Sequence, residues 1–460
     1  MKTTRTTTFL LLVLDVVTTI IVFNIVSYFR GLGGWEHMVV DPLKWPIAFI
    51  VFSIYLIDGY KARTDMLSVD YTSQHAIALL GATIATLLLT FVFIPGGYEL
   101  QSSRVVIAFS FIALIPLTIG YRRLIYPRVL ASQGERSLVF LGDQTSCAAF
   151  KEECRKMGMT QQVIFCVVSE ESAAPFGPSE NDHLRPFPEV LDEVQQGRIT
   201  VEAIILRESA RELSSDISRR LVQLYFSGVP TYTLELFHQV YWQKIPLYRL
   251  NQTWLFQEGF QIAREPVFER LKRASDIALA ALGLVLASPL IAFAGLAIWL
   301  EDRGPVFFRQ TRIGLNHQPF LLAKLRTMRP GGAEATGDLY TQARDPRITR
   351  IGRFLRTSRI DELPQLWNVL RGDMSLIGPR AEWDRLVETY TREIPCYHFR
   401  HLVKPGITGW AQVNYPYGAN LEDTLRKLEY DLYYIRHFSF TLDASIILKT
   451  IHIMLFGKGR

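Results

Sequence analysis

The chain has 460 residues, too many for one ordinary hydrophobic core, so several structural units are expected. With 49% hydrophobic residues and a mean hydropathy of +0.14 it is more apolar than most soluble proteins, and its formal charge of +6 points to an anionic partner such as nucleic acid, anionic lipid or a phosphorylated substrate. No run of like charges and no zinc-finger or RNA-recognition signature is present, so no nucleic acid is expected, and Cys147, Cys154, Cys166 and Cys396 lack both metal-ligand spacing and a secreted disulfide framework, which reads as small buried thiols.

Four apolar stretches open the chain, near Phe9–Tyr28, Trp45–Ile57, His75–Ile94 and Val105–Ile119. Three have the length of a membrane helix, and the second is short but nearly free of charge. Together they predict a four-helix transmembrane bundle over 1–128. Lys2, Arg5, Lys61, Arg63, Arg122, Arg123 and Arg128 fall on one side of it, and the loops Gly31–Lys44 and Pro95–Ser103 hold little positive charge. By the positive-inside rule the N-terminus and everything after Arg122 are cytoplasmic.

Residues 134–250 alternate between buried-strand patterns ("SLVFLG", "QVIFCVVS", "VEAIILRE") and helix-like segments ("CAAFKEECRKMG", Ser215–Phe226). Such alternation predicts a parallel, Rossmann-like α/β sheet. Its first turn reads Leu-Gly-Asp-Gln-Thr-Ser and lacks the phosphate-cradling glycines, so an assembly or regulatory role is preferred over dinucleotide binding, and the domain is a candidate homodimer contact.

A fifth apolar run, Ile277–Leu300, carries no charge and has Ser288-Pro289 at its centre. Proline removes a backbone hydrogen bond and disfavours helix before it. Positive charge lies at both ends (Lys272 and Arg273 before; Arg303, Arg309 and Arg312 after), which favours a re-entrant hairpin over 274–300 and keeps both flanks on the cytoplasmic face. Beyond Gly304 no long clean sheet pattern is legible, and a mostly helical domain over 266–460 is expected. Its end, "LDASIILKTIHIMLF", reads equally as a helix on the membrane or as a packed terminal helix.

Arginines recur at every third position from Arg344 through Arg347, Arg350, Arg353 and Arg356 to Arg359. The first four read as a solvated or lipid-facing basic face, whereas Arg356 and Arg359 lie within five residues of an acidic pair, Asp361-Glu362. Pro364 suits a helix first turn over "PQLWNVL", which would place both acids at a helix N-terminus, lower their pKa values and keep Asp361 ionised, as a nucleophile must be. Adjacent carboxylates also suit Mg²⁺, and nearby arginines suit phosphate oxygens. On spacing alone, however, Asp-Glu before Pro is a common helix start.

The runs "GPVFFRQTRIG", "LAKLRTM", "RIDELPQLWNVLRGDMSLIGPRAE" and "VKPGITGWAQVN", in order over Phe268–Gly457, resemble the bacterial sugar transferase family, the monotopic polyprenyl-phosphate glycosyl-1-phosphate transferases. "LKRASD" and Ser288-Pro289 resemble that family's membrane hairpin (here Lys272, Arg273, Asp276, Ser288, Pro289), and four spans plus a degenerate nucleotide fold are similar to its long, exopolysaccharide-initiating branch. The resemblance implies that a UDP-sugar and undecaprenyl phosphate react in the bacterial inner membrane, on its cytoplasmic face. It implies Asp361 as the nucleophile that forms a covalent phosphosugar, Glu362 as a Mg²⁺ holder with it, and Lys324, Arg326, Arg356 and Arg380 near the substrate. Glucose or galactose is the favoured sugar. One departure is visible: the usual Gly-Pro-Arg-Pro reads Gly-Pro-Arg-Ala at Gly378–Ala381, which removes the rigidity that follows Arg380.

Two rivals fit less of the sequence. A membrane-bound NAD-dependent nucleotide-sugar dehydratase needs the glycine fingerprint and a Tyr-x-x-x-Lys pair, and no tyrosine here has a lysine four positions later. A non-enzymatic scaffold or chain-length regulator of polysaccharide export leaves "DELPQLWNVLRGDMSLIGPR" without a purpose.

Overall fold

A computed structural model describes residues 2–31, 40–61, 64, 66–93, 104–134, 136–159, 161–168, 183–207, 213–247, 266–329, 347–415, 418 and 420–456. The chain divides into two compact units, Met1–Gln243 and Lys244–Arg460.

The first unit opens with α1 (Lys2–Phe29), α2 (Lys44–Leu56), α3 (Val69–Leu88) and α4 (Arg104–Gly134). Segments of α1, α3 (with the turn that follows it) and α4 are long and apolar enough to cross a membrane, namely Thr6–Phe29, Asp70–Val92 and Arg104–Pro127, and Phe268–Asp302 in the second unit is a fourth. The chain is a membrane protein. The second predicted span is a helix of 13 residues. At 1.5 Å per residue it rises about 20 Å, short of the roughly 30 Å hydrocarbon core. Val22, Phe23, Ile50, Ile54, Leu79 and Phe111 pack the bundle interior, whereas Phe9, Phe52, Ile84 and Ile112 face outward.

Inside this apolar bundle lies an ion pair. Arg122 and Asp15 are both wholly buried and pair through two contacts, Nη1 to Oδ1 at 2.8 Å and Nη2 to Oδ2 at 2.6 Å. The hydroxyls of Tyr60 (2.6 Å to Oδ2) and Tyr121 also donate to Asp15. Arg122, counted above as a topology-setting loop charge, is therefore an interior residue of α4. Next to Arg123 it reads as a loop charge, because its partner lies more than 100 residues away.

Next comes a parallel five-stranded sheet of order β3-β2-β1-β4-β5, built from β1 (Ser137–Leu141), β2 (Val163–Val167), β3 (Arg185–Pro186), β4 (Val201–Leu206) and β5 (Thr231–Thr233). Every residue of β1 is buried, as expected of a strand covered on both faces, by α5 (Gln144–Lys156) and α8 (Leu234–Phe237) on one and by α6 (Phe187–Gln195) and α7 (Ser215–Phe226) on the other. The turn after β1 is closed by a side chain: Asp143 Oδ1 accepts from Ser146 N at 2.9 Å, capping α5, and its carboxylate pairs with Arg207 at the end of β4. A carboxylate thus occupies the helix N-terminus where a nucleotide phosphate would sit in a glycine-rich turn. All four cysteines are free and buried.

The second unit begins with Lys244. Ile245 and Leu247 are buried with Trp410, Leu428 and Leu432, Ile245 N donates to Glu429 O at 3.0 Å, and Lys244 pairs with the buried Glu429 at 3.3 Å. Residues 244–247, within the span 134–250 expected for the sheet domain, thus fall in the second unit, and two of them, Ile245 and Leu247, enter its core. The segment 248–265 lies outside the described residues.

The segment 274–300 expected to form the hairpin lies within one helical element, α9 (Pro266–Asp302, 37 residues), with Pro289 inside it. Pro289 cannot donate to the Val285 carbonyl, and the Ser288 hydroxyl donates to that oxygen instead at 2.8 Å, which lets the helix pass through the proline. Its middle is apolar and exposed at Leu282, Val285, Leu286, Leu290 and Phe293. Its flanks are bound to this unit rather than to solvent. Lys272 pairs with Asp443 (2.6 Å), Arg273 donates to the carbonyls of Val369 and Leu370, and Asp276 accepts from Leu376 N. Asp302 pairs with Arg326, and Glu301 accepts from Arg350 N.

The sequence reading missed a hairpin here. β6 (Phe307–Ile313) and β7 (Pro319–Leu325) pair antiparallel from Phe307↔Leu325 to Ile313↔Pro319. After them come α10 (Arg350–Thr357), α11 (Gln365–Arg371), β8 (Ser375–Ile377), α12 (Asp384–Glu393), β9 (Gly406–Thr408), α13 (Trp410–Asn414), α14 (Leu421–Arg436) and α15 (Phe440–Phe456). In α15 Asp443, Ile446 and His452 are buried against the unit, and Ile447, Ile451, Met454, Leu455 and Phe456 are exposed.

Candidate active site

Three elements converge on the acidic pair. Thr349 caps α10 through Gly352 N, and Gly352 packs so tightly on Thr327 that a Cβ there would lie 2.2 Å from the Thr327 carbonyl oxygen. That close approach fixes α10 beside the end of β7. Arg359 then takes a left-handed conformation (φ 59°) and turns the chain into a single 3₁₀ turn, Ile360–Glu362, ahead of α11. Pro364 precedes α11 instead of opening it, so the acids sit one turn outside the predicted helix.

Asp361 is 8% exposed, and its Oδ1 is buried without a hydrogen-bond partner. Burial first, then the neighbouring Glu362, raises its carboxyl above the ordinary range. The expected lowering by a helix N-terminus is therefore corrected: α11 has seven residues, the acid lies before its cap, and desolvation outweighs what the helix offers. Glu362 goes the other way. Burial opposes its ionisation, yet Lys324 and Arg380 hold it down at about 2. Its Oε1 lies 2.8 Å from Lys324 Nζ, 3.6 Å from Arg380 Nη2 and 3.9 Å from Arg359 Nη1.

The predicted basic residues divide accordingly. Lys324, from β7, and Arg380, from the loop after β8, reach Glu362. Arg356 donates its Nε to Thr327 Oγ1 at 2.8 Å and lies close enough to bias Asp361 toward ionisation. Arg326 points to the end of α9, where it pairs with Asp302, while its own Nε and Nη1 are buried and unpaired. The flank residues Lys272, Arg273 and Asp276 fasten α9 and do not enter the site, and Ser288 and Pro289 lie in the exposed middle of that helix. Arg344 lies outside the described residues. Sequence reasoning missed the direct contact of Arg359 with Glu362.

The depressed Glu362 carboxyl has a stability consequence. Its folded-state pKa lies below the unfolded value of 4.5, so the stabilisation is complete above about pH 4.5 and is lost as pH falls toward about 2. The contribution is worth roughly 3 kcal/mol. Glu362→Gln is expected to lower the unfolding midpoint at pH 7 and to flatten its acid dependence, read by thermal denaturation between pH 3 and 7; parallel wild-type and variant curves would contradict this.

The bacterial sugar transferase family matches residues 267–457. A Caulobacter vibrioides UDP-glucose:undecaprenyl-phosphate glucose-1-phosphate transferase is 45% identical over 188 residues, 40% of this chain and 69% of that protein. The chain belongs to the bacterial sugar transferase family. A UDP-N-acetylgalactosamine-undecaprenyl-phosphate N-acetylgalactosaminephosphotransferase of Aeromonas hydrophila is 38% identical over 270 residues, 59% of this chain and 63% of that protein. An Escherichia coli (strain K12) UDP-glucose:undecaprenyl-phosphate glucose-1-phosphate transferase is 45% identical over 183 residues, 39% of each chain. The alignments thus span 63% and 39% of the length of these last two relatives. In this sugar transferase the family match contains Asp361, Glu362 and every basic residue that meets them, and it leaves out the bundle, the sheet and the Lys244–Leu247 strap.

Proposed function

We propose that this chain transfers a sugar 1-phosphate from a UDP-sugar to undecaprenyl phosphate and releases UMP, as the first membrane step of an exopolysaccharide, capsule or O-antigen-type glycan. The observation that carries the reading is a buried, unpartnered carboxylate oxygen on Asp361 next to a carboxylate clamped by Lys324, Arg359 and Arg380. One acid is free to react, and the other is clamped through its Oε1.

In the first step an Asp361 oxygen attacks the β-phosphorus, a P–O bond forms, and the bond from that phosphorus to the bridging oxygen breaks, with UMP leaving. In the second, the phosphate oxygen of undecaprenyl phosphate attacks the same phosphorus, and Asp361 leaves as carboxylate. Phosphoryl transfer depends on positioning and charge neutralisation more than on acid–base work, which suits a site with one free acid and several cations. Arg356 favours the ionised Asp361, and Glu362 holds Lys324 and Arg380 in place. Mg²⁺ fits the donor set, because it takes one or two carboxylates plus substrate phosphate and Asp361 Oδ1 is unused. Asp361 and Glu362 would hold it, and it would neutralise diphosphate charge.

Membrane lipids are the second partner. The exposed apolar middle of α9 suits insertion, and re-entry at Ser288-Pro289 is supported by the fastening of both flanks to one unit. Both flanks then lie on the cytoplasmic side of the inner membrane, where UDP-sugars are found. The strand order supports a Rossmann-like reading of the sheet, and a homodimer contact through 134–250 remains part of this proposal.

The test is UMP release by the purified full chain with undecaprenyl phosphate and a panel of UDP-N-acetylgalactosamine, UDP-glucose and UDP-galactose. Release with at least one sugar, dependent on the lipid phosphate and abolished by EDTA then restored by Mg²⁺, is expected. No release with any sugar would remove the reading, and EDTA-resistant release would remove the metal.

A further inference from the structure

The departure from Gly-Pro-Arg-Pro leaves a question that the packing answers. Arg380, which faces Glu362, lies on a loop with no proline after it. The loop is nonetheless held at two successive carbonyls by the guanidinium groups of one buried and one half-buried arginine from elsewhere in the unit. Arg400 Nη2 donates to Arg380 O at 3.0 Å, and Arg312 Nη1 donates to Ala381 O at 3.0 Å. On its other edge the loop is paired with β9, through Gly378 N to Thr408 O and Gly406 N to Pro379 O.

Neither arginine is placed casually. Arg400 is 6% exposed, and it also donates to Asp431 Oδ2 on α14 at 2.9 Å and to Tyr397 Oη at 2.7 Å. Glu382, one residue past the loop, lies between the two cations, 3.8 Å from Arg400 and 3.9 Å from Arg312. Burying two guanidinium groups is costly unless their donors are used. Here one Nη donor of each goes to the successive carbonyls of Arg380 and Ala381, the others serve Asp431, Tyr397 and Gln310, and the Nε of each is buried without a partner. The helix that carries Asp431 is itself fastened, because Glu429, two residues earlier on α14, is held by Lys244. The brace therefore runs from the start of the unit through α14 to the loop that presents Arg380.

We propose that Arg400, fixed by Asp431 and seconded by Arg312, is a positioning residue that sets Arg380 against Glu362 and the substrate diphosphate. This rests on the reaction proposed above. Arg400 touches no substrate in this scheme and acts only through the Arg380 main chain. Lysine at 400 keeps the charge for Asp431 but is a point donor on a flexible stem. It cannot serve Asp431, Tyr397 and Arg380 O at once as the planar fork does.

The test uses the full chain in lipid nanodiscs, with undecaprenyl phosphate and whichever of UDP-N-acetylgalactosamine, UDP-glucose or UDP-galactose the wild type turns over. R400K is expected to lower kcat on the order of 10²-fold with little change in KM, the usual cost of a small misplacement. In an R380Q background the same change should cost less than about threefold, since groups acting as a unit are not additive. Equal losses in both backgrounds would assign Arg400 to general folding and overturn the proposal. A second readout needs no turnover: hydrogen exchange of the amides of 378–383 should quicken about tenfold in R400K while those of α14 stay protected. Unchanged exchange in the loop overturns the brace. If the wild type releases no UMP, the functional reading falls, and exchange alone decides the brace.

Discussion

Asp361→Asn is expected to abolish UMP release, by roughly 10⁴-fold or more, because loss of a covalent nucleophile leaves only binding and charge neutralisation. The same substitution should leave the fold intact or slightly stabilised. Burial and Glu362 raise the Asp361 carboxyl, so the folded state disfavours the charge that asparagine removes. That separates the two acids: Glu362→Gln strands Lys324 and loosens the site, whereas Asp361→Asn silences it without loosening it. The raised carboxyl also sets the acid limb of the rate. Attack needs the ionised form, so activity should begin to fall, as pH drops, at a higher pH than an ordinary aspartate near 3.8 would give. A variant that keeps the wild-type rate would remove Asp361 from the chemistry, and one that fails to fold would contradict the expected stability.

The second large effect lies in the bundle. Asp15→Asn or Arg122→Gln should cost about 3–5 kcal/mol, because each leaves the other charge buried without its partner. The pair is wholly buried between α1 and α4 and is ringed by the Tyr60 and Tyr121 hydroxyls, so no water or lipid headgroup substitutes for the lost contact. Intramembrane charges of this kind face the bundle interior and pair with each other. The double variant Asp15→Asn with Arg122→Gln should recover part of the loss, since neither charge then remains. Unfolding of the detergent-solubilised protein, followed by tryptophan fluorescence, measures both. Single variants within about 0.5 kcal/mol of wild type would show that the pair is a bystander.

The legibility of these features followed their range in sequence. The parallel sheet was readable because each strand is a continuous apolar run, as in the buried "SLVFL" of β1. The acid pair was readable because its context, Arg359 to Trp367, is contiguous. The field around it was not. Whether Asp361 is pushed up or down depends on burial supplied by β7 and α10, and a local helix-start argument sees neither. Arg122 read as a loop charge because its partner, Asp15, is far away in sequence. The β6–β7 hairpin was hidden because both strands mix aromatic, basic and aliphatic residues on two half-covered faces, which blurs the period-two pattern. At Pro289 the local rule gave only the missing backbone donor, and not the Ser288 hydroxyl that takes over the Val285 carbonyl.

The central claim is a covalent sugar phosphate on Asp361. The direct measurement is incubation of the full chain with a UDP-sugar labelled at the β-phosphorus, without undecaprenyl phosphate, followed by peptide mapping. The account predicts label on the peptide that contains Asp361, UMP release matching it in amount, loss of the label on adding undecaprenyl phosphate, and no label in Asp361→Asn. UMP release from wild type with no labelled protein, or label that persists in Asp361→Asn, would contradict it.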